Sequence, residues 1–110
     1  MTNWIVETLN SQVDAELEAL PLDMRGKFVR VVSLIESFGL SNVGMPHIRP
    51  LVNKLWEIRL SGRDGIGRAI YVVAKGKKVI VVHAFVKKTQ TTPSAAIKAA
   101  SNRAKEAGLL

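Results

Sequence analysis

The second half of the chain contains three strand-like stretches that follow one another closely. They are KLWEIRL at 54–60, RAIYVVA at 68–74 and KVIVVHAFV at 78–86. The first alternates apolar and polar residues, and the other two are rich in β-branched residues, as strands commonly are. We expect SGRDGIG to form a flexible loop and KGK a tight turn. Parallel neighbours need a crossover of about a dozen residues or more, so the three stretches predict an antiparallel meander.

The first half of the chain predicts one strand and two helices. WIVETL alternates, with Trp4 and Val6 on one face. Ser11 is the expected N-cap of a first helix, and Pro21 is expected to open a second one, where its missing N–H is no loss. An apolar stripe at helical spacing runs along this second helix and stops at a glycine. The stripe and its terminator are Met24, Phe28, Val31, Ile35, Phe38 and Gly39.

The remaining segments complete a compact α+β pattern. Residues 39–53 hold two prolines and two glycines, so we interpret them as a connection. A final Ala-rich helix begins near Pro93, with Thr92 as its expected cap, and ends at Gly108. The order is β-α-α-β-β-β-α in one domain spanning 1–110. We expect a small, mostly antiparallel sheet with the helices packed on one face.

Composition narrows the class of protein and points to an anionic partner. Cysteine is absent, which excludes disulfides and thiolate metal sites. The N-terminal MTNWIVETLN does not read as a signal peptide, so a cytoplasmic location is expected. Residues 1–50 carry a net charge of −2, whereas residues 51–110 carry +9. Such asymmetry is typical of chains that bind nucleic acid, an acidic protein or a membrane surface, although plain solubility also explains it.

Basic side chains cluster on one side of the predicted meander. In KLWEIRL, Trp56, Ile58 and Leu60 point towards the core, because strand side chains alternate. The opposite, solvated side then carries polar groups from all three strands, with Arg68 as an exposed strand arginine. The candidates for this patch are Glu57, Arg59, Arg68, Tyr71, His83, Lys87 and Lys88. Guanidinium groups grip phosphate in a bidentate manner and lysines act as point charges, so the patch is suited to an anion.

These residues carry a resemblance to a known group of proteins. The motifs LWEIR at 55–59, GRAIY at 67–71 and VHAFVKKTQTTP at 82–93 resemble the RelE/HigB superfamily of bacterial toxins, in particular its phage-derived, Gp49-like HigB branch. The resemblance covers essentially the whole chain. It implies a RelE-like fold and a ribosome-dependent mRNA endonuclease, a hydrolase that needs no metal or cofactor. It also implies a cognate helix-turn-helix, HigA-like antitoxin, with a toxin–antitoxin heterotetramer as one form of the complex.

The implied reaction is attack of a ribose 2′-hydroxyl on the adjacent phosphate, which needs a base, an acid and cations. By position, Arg68 matches the arginine of the family's R-x-x-Y strand, and Lys87 and Lys88 occupy the basic pair after the last strand. Glu57 stands where some RelE-type enzymes have lysine, so a carboxylate base and a Glu57–Arg59 ion pair are both open. Each candidate also has a structural interpretation: Tyr71 and His83 as core residues, the lysines as solvated turn residues. The candidate catalytic residues are Arg68, Arg59, Glu57, Lys87, Lys88, His83 and Tyr71; the candidate RNA-binding residues are Lys54, Arg63, Lys87, Lys88, Thr89 and Thr91.

Two other classes of function fit the same residues. A basic RNA- or DNA-binding module without catalysis needs only the cationic patch, and its binding would weaken steeply with salt. A degenerate toxin, retained as a partner of its antitoxin or as a phage accessory protein, is the third class. The absence of an obvious His/Glu general-base pair keeps this third class open.

Overall fold

A computed structural model describes residues 2–44, 47–87 and 91–110, and these residues form three helices and a five-stranded sheet. In chain order the elements are β1 Ile5–Thr8, α1 Ser11–Glu18, α2 Leu22–Phe38, a 3₁₀ turn at Leu40–Asn42, β2 Ile48–Pro50, β3 Trp56–Gly62, β4 Gly65–Ala74, β5 Lys78–Lys87 and α3 Ser94–Glu106. The strand order is β1-β5-β4-β3-β2, in which β1 runs parallel to β5 and the other pairs are antiparallel. The α+β class and the antiparallel meander are therefore confirmed.

The connection between β3 and β4 is far tighter than the sequence suggests. Gly62 pairs with Gly65, so only residues 63 and 64 lie outside the ladder, and the expected flexible loop is a continuous hairpin. Gly65 has a φ of 142°, which side chains other than glycine's rarely allow. The carboxylate of Asp23 accepts a hydrogen bond from the Arg63 N–H at 2.8 Å and ties the tip of the hairpin to α2.

Residues 39–53 are more than the connection that was expected, because they contain the short strand β2. The chain then turns between Val52 and Leu55, where Asn53 and Lys54 have φ values of 53° and 68°. Two consecutive left-handed residues are the signature of a type I′ turn, the commonest link between hairpin strands. Pro50 is tolerated in β2 because this strand lies at the edge of the sheet. A strand of three residues with a proline gives too weak an alternation to be recognised.

The predicted helix starts are each shifted by one residue. Asn10, not Ser11, is the N-cap of α1, and its side chain accepts a hydrogen bond from the Val13 N–H at 3.1 Å. Pro21 and Pro93 are themselves the N-caps of α2 and α3 instead of their first residues. Thr92 therefore does not cap α3, and its hydroxyl is engaged elsewhere, as described below.

The helices pack on both faces of the sheet, so the expectation of one covered face is wrong. Apolar residues of α1 and α2 pack against one face, mainly on β3, β4 and β5. The Ala-rich α3 packs against the other face through Ala96, Ala100 and Ala104. Adjacent β4 residues accordingly belong to opposite cores: Tyr71 faces α1 and α2, and Ile70 faces α3. We refer to these as the α2 face and the α3 face.

Two predicted core residues are more exposed than expected. Phe38, at the end of the α2 stripe, is largely exposed, and Trp56 is partly exposed although Ile58 and Leu60 on the same side of β3 are buried. Phe38 is the last residue of α2 and Trp56 is the first residue of β3, so both lie at the end of their element. No helix in the described ranges is long and apolar enough to cross a membrane.

Candidate functional site

A buried ion pair lies at the centre of the α3 face. Glu57 of β3 and Arg68 of β4 are both 0% exposed, with 3.7 Å between Glu57 Oε1 and Arg68 Nε. The Thr92 hydroxyl donates a hydrogen bond to Glu57 Oε1 and closes this side of the carboxylate. Two expectations are therefore corrected: this side of β3 is not solvated at Glu57, and Arg68 is not an exposed strand arginine.

Arg49 of β2 contacts the same carboxylate from the edge of the sheet. It lies directly opposite Glu57 in the β2–β3 ladder, with 3.8 Å between Arg49 Nε and Glu57 Oε2. Its side chain is 40% exposed, in contrast to that of Arg68. Arg49 was not among the predicted site residues, because β2 itself was not predicted. Glu57 does pair with arginine, but through Arg49 and Arg68 and not through Arg59 as considered above.

Arg59 completes a group of three guanidinium side chains, which we call the arginine cluster: Arg49, Arg59 and Arg68 around Glu57. Arg59 and Arg68 are directly opposite each other in the β3–β4 ladder, so their side chains lie on one face. The pKa of Arg68 is lowered by burial and by the positive charges of Arg59 and Arg49, against the attraction of Glu57. With three positive groups and one negative, the cluster carries an excess of positive charge.

His83 lies on the same face but is held in a second polar network. Its Nδ1 is 3.0 Å from Glu16 Oε1, and Arg103 of α3 binds the same carboxylate at 2.8 Å. Burial would raise the pKa of Glu16, but hydrogen bonds from Arg103, His83 and the Ala84 N–H outweigh it and lower that pKa to about 2. The side chain of His83 is only 16% exposed. Its surroundings match the structural interpretation of this histidine.

This network also completes the edge of β5. The parallel partner β1 pairs with β5 only as far as Val81, which leaves the next part of that edge unpaired. Arg103 Nη1 donates to the Val82 carbonyl at 2.9 Å, and Glu16 Oε1 accepts from the Ala84 N–H at 3.1 Å. Buried backbone groups need partners, and these two side chains supply them in place of a strand. Glu16 lies 68 residues from Ala84 and 87 residues from Arg103 in the chain, so local sequence patterns do not reveal this long-range role.

Tyr71 is separated from the arginine cluster by the sheet itself. It faces α1 and α2, is almost fully buried, and its pKa is raised by that burial. Tyr71 also borders an apolar groove of about 340 Å³ with Trp4 and Trp56. The prediction that Tyr71 lies in the same patch as Arg68 is therefore wrong.

The exposed candidates are spread along the sheet. Lys87, at the end of β5, is exposed and borders a groove of about 300 Å³ with the stacked rings of His83 and Phe85 and with the start of α3. Phe85 lies opposite Arg68, so this groove adjoins the arginine cluster. Lys54 and Arg63 are exposed at opposite ends of β3, roughly 30 Å apart at ~3.3 Å per residue. Thr91 is exposed, and the predicted Lys88 and Thr89 lie outside the described residues.

Comparison with known proteins agrees with this architecture. The family described as phage-derived Gp49-like proteins matches residues 15–105. The chain belongs to this family. No curated protein matches the sequence significantly.

Solved structures show the fold of RelE toxins. A mutant of E. coli toxin RelE in the free state, with two arginines replaced by alanine, superposes with a TM-score of 0.62 at 15% identity, covering 93% of this chain and 98% of that one. The archaeal RelE–RelB complex from Pyrococcus horikoshii OT3 gives a TM-score of 0.57 at 20% identity, covering 82% and 100%. This Gp49-like protein thus has a RelE-like toxin fold, as the sequence motifs indicated.

Proposed function

We propose that this Gp49-like protein is the toxin of a type II toxin–antitoxin system and cuts mRNA on the ribosome. The observation that carries the proposal is the arginine cluster, which lies on the α3 face of a RelE-like sheet beside the exposed Lys87. An excess of buried and half-buried positive charge is costly for stability alone, which favours a functional role in anion binding. The strongly basic second half of the chain supports an RNA substrate.

The proposed reaction forms a bond between a ribose 2′-oxygen and the adjacent phosphorus, and breaks the bond from phosphorus to the 5′-oxygen. The products are a 2′,3′-cyclic phosphate and a 5′-hydroxyl. The 2′-hydroxyl proton leaves to a base and the 5′-oxygen takes up a proton. Negative charge grows on the phosphoryl oxygens in the transition state, where fixed guanidinium groups stabilise it more than the ground state. Arg59 fits this electrostatic role, and the buried Arg68 adds positive charge behind it.

The proposed partner is a cognate antitoxin that silences the toxin in the cytoplasm. One structural neighbour is a RelE–RelB complex, which supports a protein partner for this fold. A HigA-like helix-turn-helix antitoxin, assembled as a heterotetramer, is the form that the HigB-like motifs favour. The net charge of +7 favours an acidic surface on that antitoxin.

A non-catalytic RNA- or DNA-binding protein of the same fold is the second candidate. It is favoured by the surroundings of the two side chains that sequence offered as proton carriers. Glu57 is fully buried between Thr92 and two arginines, and His83 is bound to Glu16. Glu57 therefore presents no exposed acceptor to a 2′-hydroxyl, and the Nδ1 atom of His83 is already engaged by Glu16.

Expression in a bacterial host, with 5′-end mapping of a reporter mRNA by primer extension, distinguishes the two. The toxin proposal predicts growth arrest and new cuts in the message that disappear when its translation is blocked. The binding module predicts an intact message, together with salt-sensitive RNA binding by the purified protein. An intact message in cells that hold folded, soluble protein would rule out the nuclease.

A further inference from the structure

We propose that Arg49, on the edge strand of the arginine cluster, contacts the phosphate of the RNA. The proposal rests on the RNA-directed function given above and assigns a role to a residue on a strand that the sequence did not reveal. Arg68 and Glu57 then form the buried support behind Arg49.

The first argument is accessibility. Arg68 is 0% exposed, so a phosphate approaching the α3 face does not reach it in this conformation. Arg49 is 40% exposed and is attached to the edge strand β2, where no further strand covers it within the described part of the sheet. Of the two arginines that form ion pairs with Glu57, Arg49 is therefore the one that a ligand can reach from solvent.

The second argument is the geometry of the Arg49–Glu57 pair. At 3.8 Å, the separation of Arg49 Nε and Glu57 Oε2 is an ion pair but longer than a hydrogen bond. The carboxylate thus restrains the guanidinium by charge without occupying its N–H donors at hydrogen-bonding distance. A guanidinium has five such donors in a fixed plane, which suits bidentate binding of a phosphate.

The third argument is charge balance. Three guanidinium groups and one carboxylate leave the cluster with two positive charges in excess. A phosphodiester carries one negative charge, and the five-coordinate phosphorane formed by 2′-oxygen attack carries two. The cluster is therefore better matched to the transition state than to the bound substrate, which is the condition for electrostatic catalysis. Without Arg49 the excess falls to one charge and the match is lost.

Purified Arg49→Ala and Arg49→Lys test the proposal, with Arg30→Ala as the matched control. Arg30 is an exposed arginine of α2 on the other side of the sheet, so its removal changes the net charge equally. Cleavage is measured in a translation reaction with purified ribosomes, and binding is measured with a short single-stranded RNA over a range of salt concentrations. Thermal unfolding of each variant reports its folding.

We expect Arg49→Ala to unfold at nearly the wild-type temperature and to lose at least about tenfold in cleavage, by analogy with removal of one charge-stabilising donor. The slope of log affinity against log salt should fall by about 0.7, the value for one phosphate contact on a single strand. Arg49→Lys should recover the slope but only part of the cleavage, because a lysine replaces the charge without the bidentate geometry. Arg30→Ala should match the wild type in cleavage and slope.

The outcomes separate the two proposals. Wild-type cleavage with an equally active Arg49→Ala would overturn the role of Arg49 and leave the nuclease intact. If the wild type does not cleave, the nuclease fails, and the salt slope alone decides the phosphate contact. If Arg49→Ala does not fold, the folded Arg49→Lys variant decides. Wild-type cleavage and a wild-type salt slope in Arg49→Lys would show that only a positive charge is required at this position, and would overturn the bidentate contact.

Discussion

Replacement of Glu57 by glutamine is expected to destabilise the fold strongly, although the two side chains have nearly the same shape. Glutamine at this position still accepts the hydrogen bond from the Thr92 hydroxyl, but it removes the negative charge beside Arg68. Arg68 is then a buried cation whose nearest carboxylate has gone. The change therefore isolates the charge of Glu57 from its packing.

The structure sets the size of this effect. Two unit charges 3.7 Å apart attract each other by about 4.5 kcal/mol at an effective dielectric constant of ~20. Removal of one partner from a buried pair costs ~3–5 kcal/mol in measured cases, which agrees with that figure. Since domains are stable by only ~5–15 kcal/mol, we expect Glu57→Gln to lose about 3 kcal/mol or more of its free energy of unfolding.

Urea unfolding followed by tryptophan fluorescence measures this loss, because Trp56 is the neighbour of Glu57 in β3. With an m value of ~1.5 kcal/mol/M, a loss of about 3 kcal/mol lowers the midpoint by about 2 M. Glu7→Gln is the control: Glu7 pairs with Lys78 at 3.6 Å, but both side chains are nearly half exposed. An exposed pair of this kind contributes about 0–1 kcal/mol, so the control midpoint should scarcely move.

A double variant completes the test. Glu57→Leu combined with Arg68→Met removes both buried charges and should recover most of the stability, because apolar replacement of a whole buried pair is often neutral or stabilising. A loss below about 1 kcal/mol for Glu57→Gln, or a double variant no better than either single one, would refute the buried pair. By the same reasoning, a loss of toxicity in an Arg68→Ala variant would not be diagnostic of catalysis, because the fold is expected to be destabilised as well.

Three further variants test the other parts of the structure. The pKa of Glu16 is lowered from 4.5 to about 2, so its ionised form stabilises the fold above pH 4.5 and this contribution is lost as the pH falls towards 2. Glu16→Gln should therefore lower the free energy of unfolding by about 3 kcal/mol at pH 7 and by much less at pH 3. An equal loss at both pH values, measured by urea unfolding, would contradict this. A double variant with alanine at Lys87 and Lys88 should bind RNA more weakly and show a salt slope lower by about 1.4 in a filter-binding assay. Unchanged binding would indicate that the two lysines are only solvated turn residues. Gly65→Ala should lower the unfolding temperature more than Gly76→Ala: both glycines have positive φ, but only at position 65 does an added Cβ meet a backbone atom, the Lys87 carbonyl at 3.1 Å. Equal shifts for the two glycine variants would refute that close contact.

Hydrophobic periodicity was sufficient to predict the main elements of the fold. The α2 stripe and the three strands of the meander are long and regular, so their local patterns agree with the tertiary structure. The prediction missed β2, because three residues provide no period to detect and Pro50 argues against a strand. It also missed the second covered face, because α3 packs through alanines, which do not form an obvious apolar stripe.

For the candidate site, the sequence was sufficient to place several polar side chains on one face of the sheet, but not to predict their burial. Strand alternation placed Glu57 and Arg59 on one side of β3, and Arg68 indeed shares that side. What alternation does not contain is the position of α3, which covers that face and turns a presumed surface patch into a partly buried cluster. Tyr71 was misplaced for a related reason, since it is three residues from Arg68 and strand neighbours at odd spacing face opposite ways.

The buried carboxylate explains how three arginines can be held close together. Like charges on Arg49 and Arg59 disfavour the charged form of Arg68, and Glu57 offsets this while leaving an excess of positive charge. Because Glu57 is fixed by Thr92 and by strand pairing, the proposed binding of a phosphate would need little reorganisation, which is the condition under which electrostatic stabilisation is most effective. Lys87, in contrast, lies at the exposed end of β5 and contributes charge without such fixation. The arginine cluster is therefore expected to set where the phosphate is held, and the lysine to set how tightly the RNA strand is attracted.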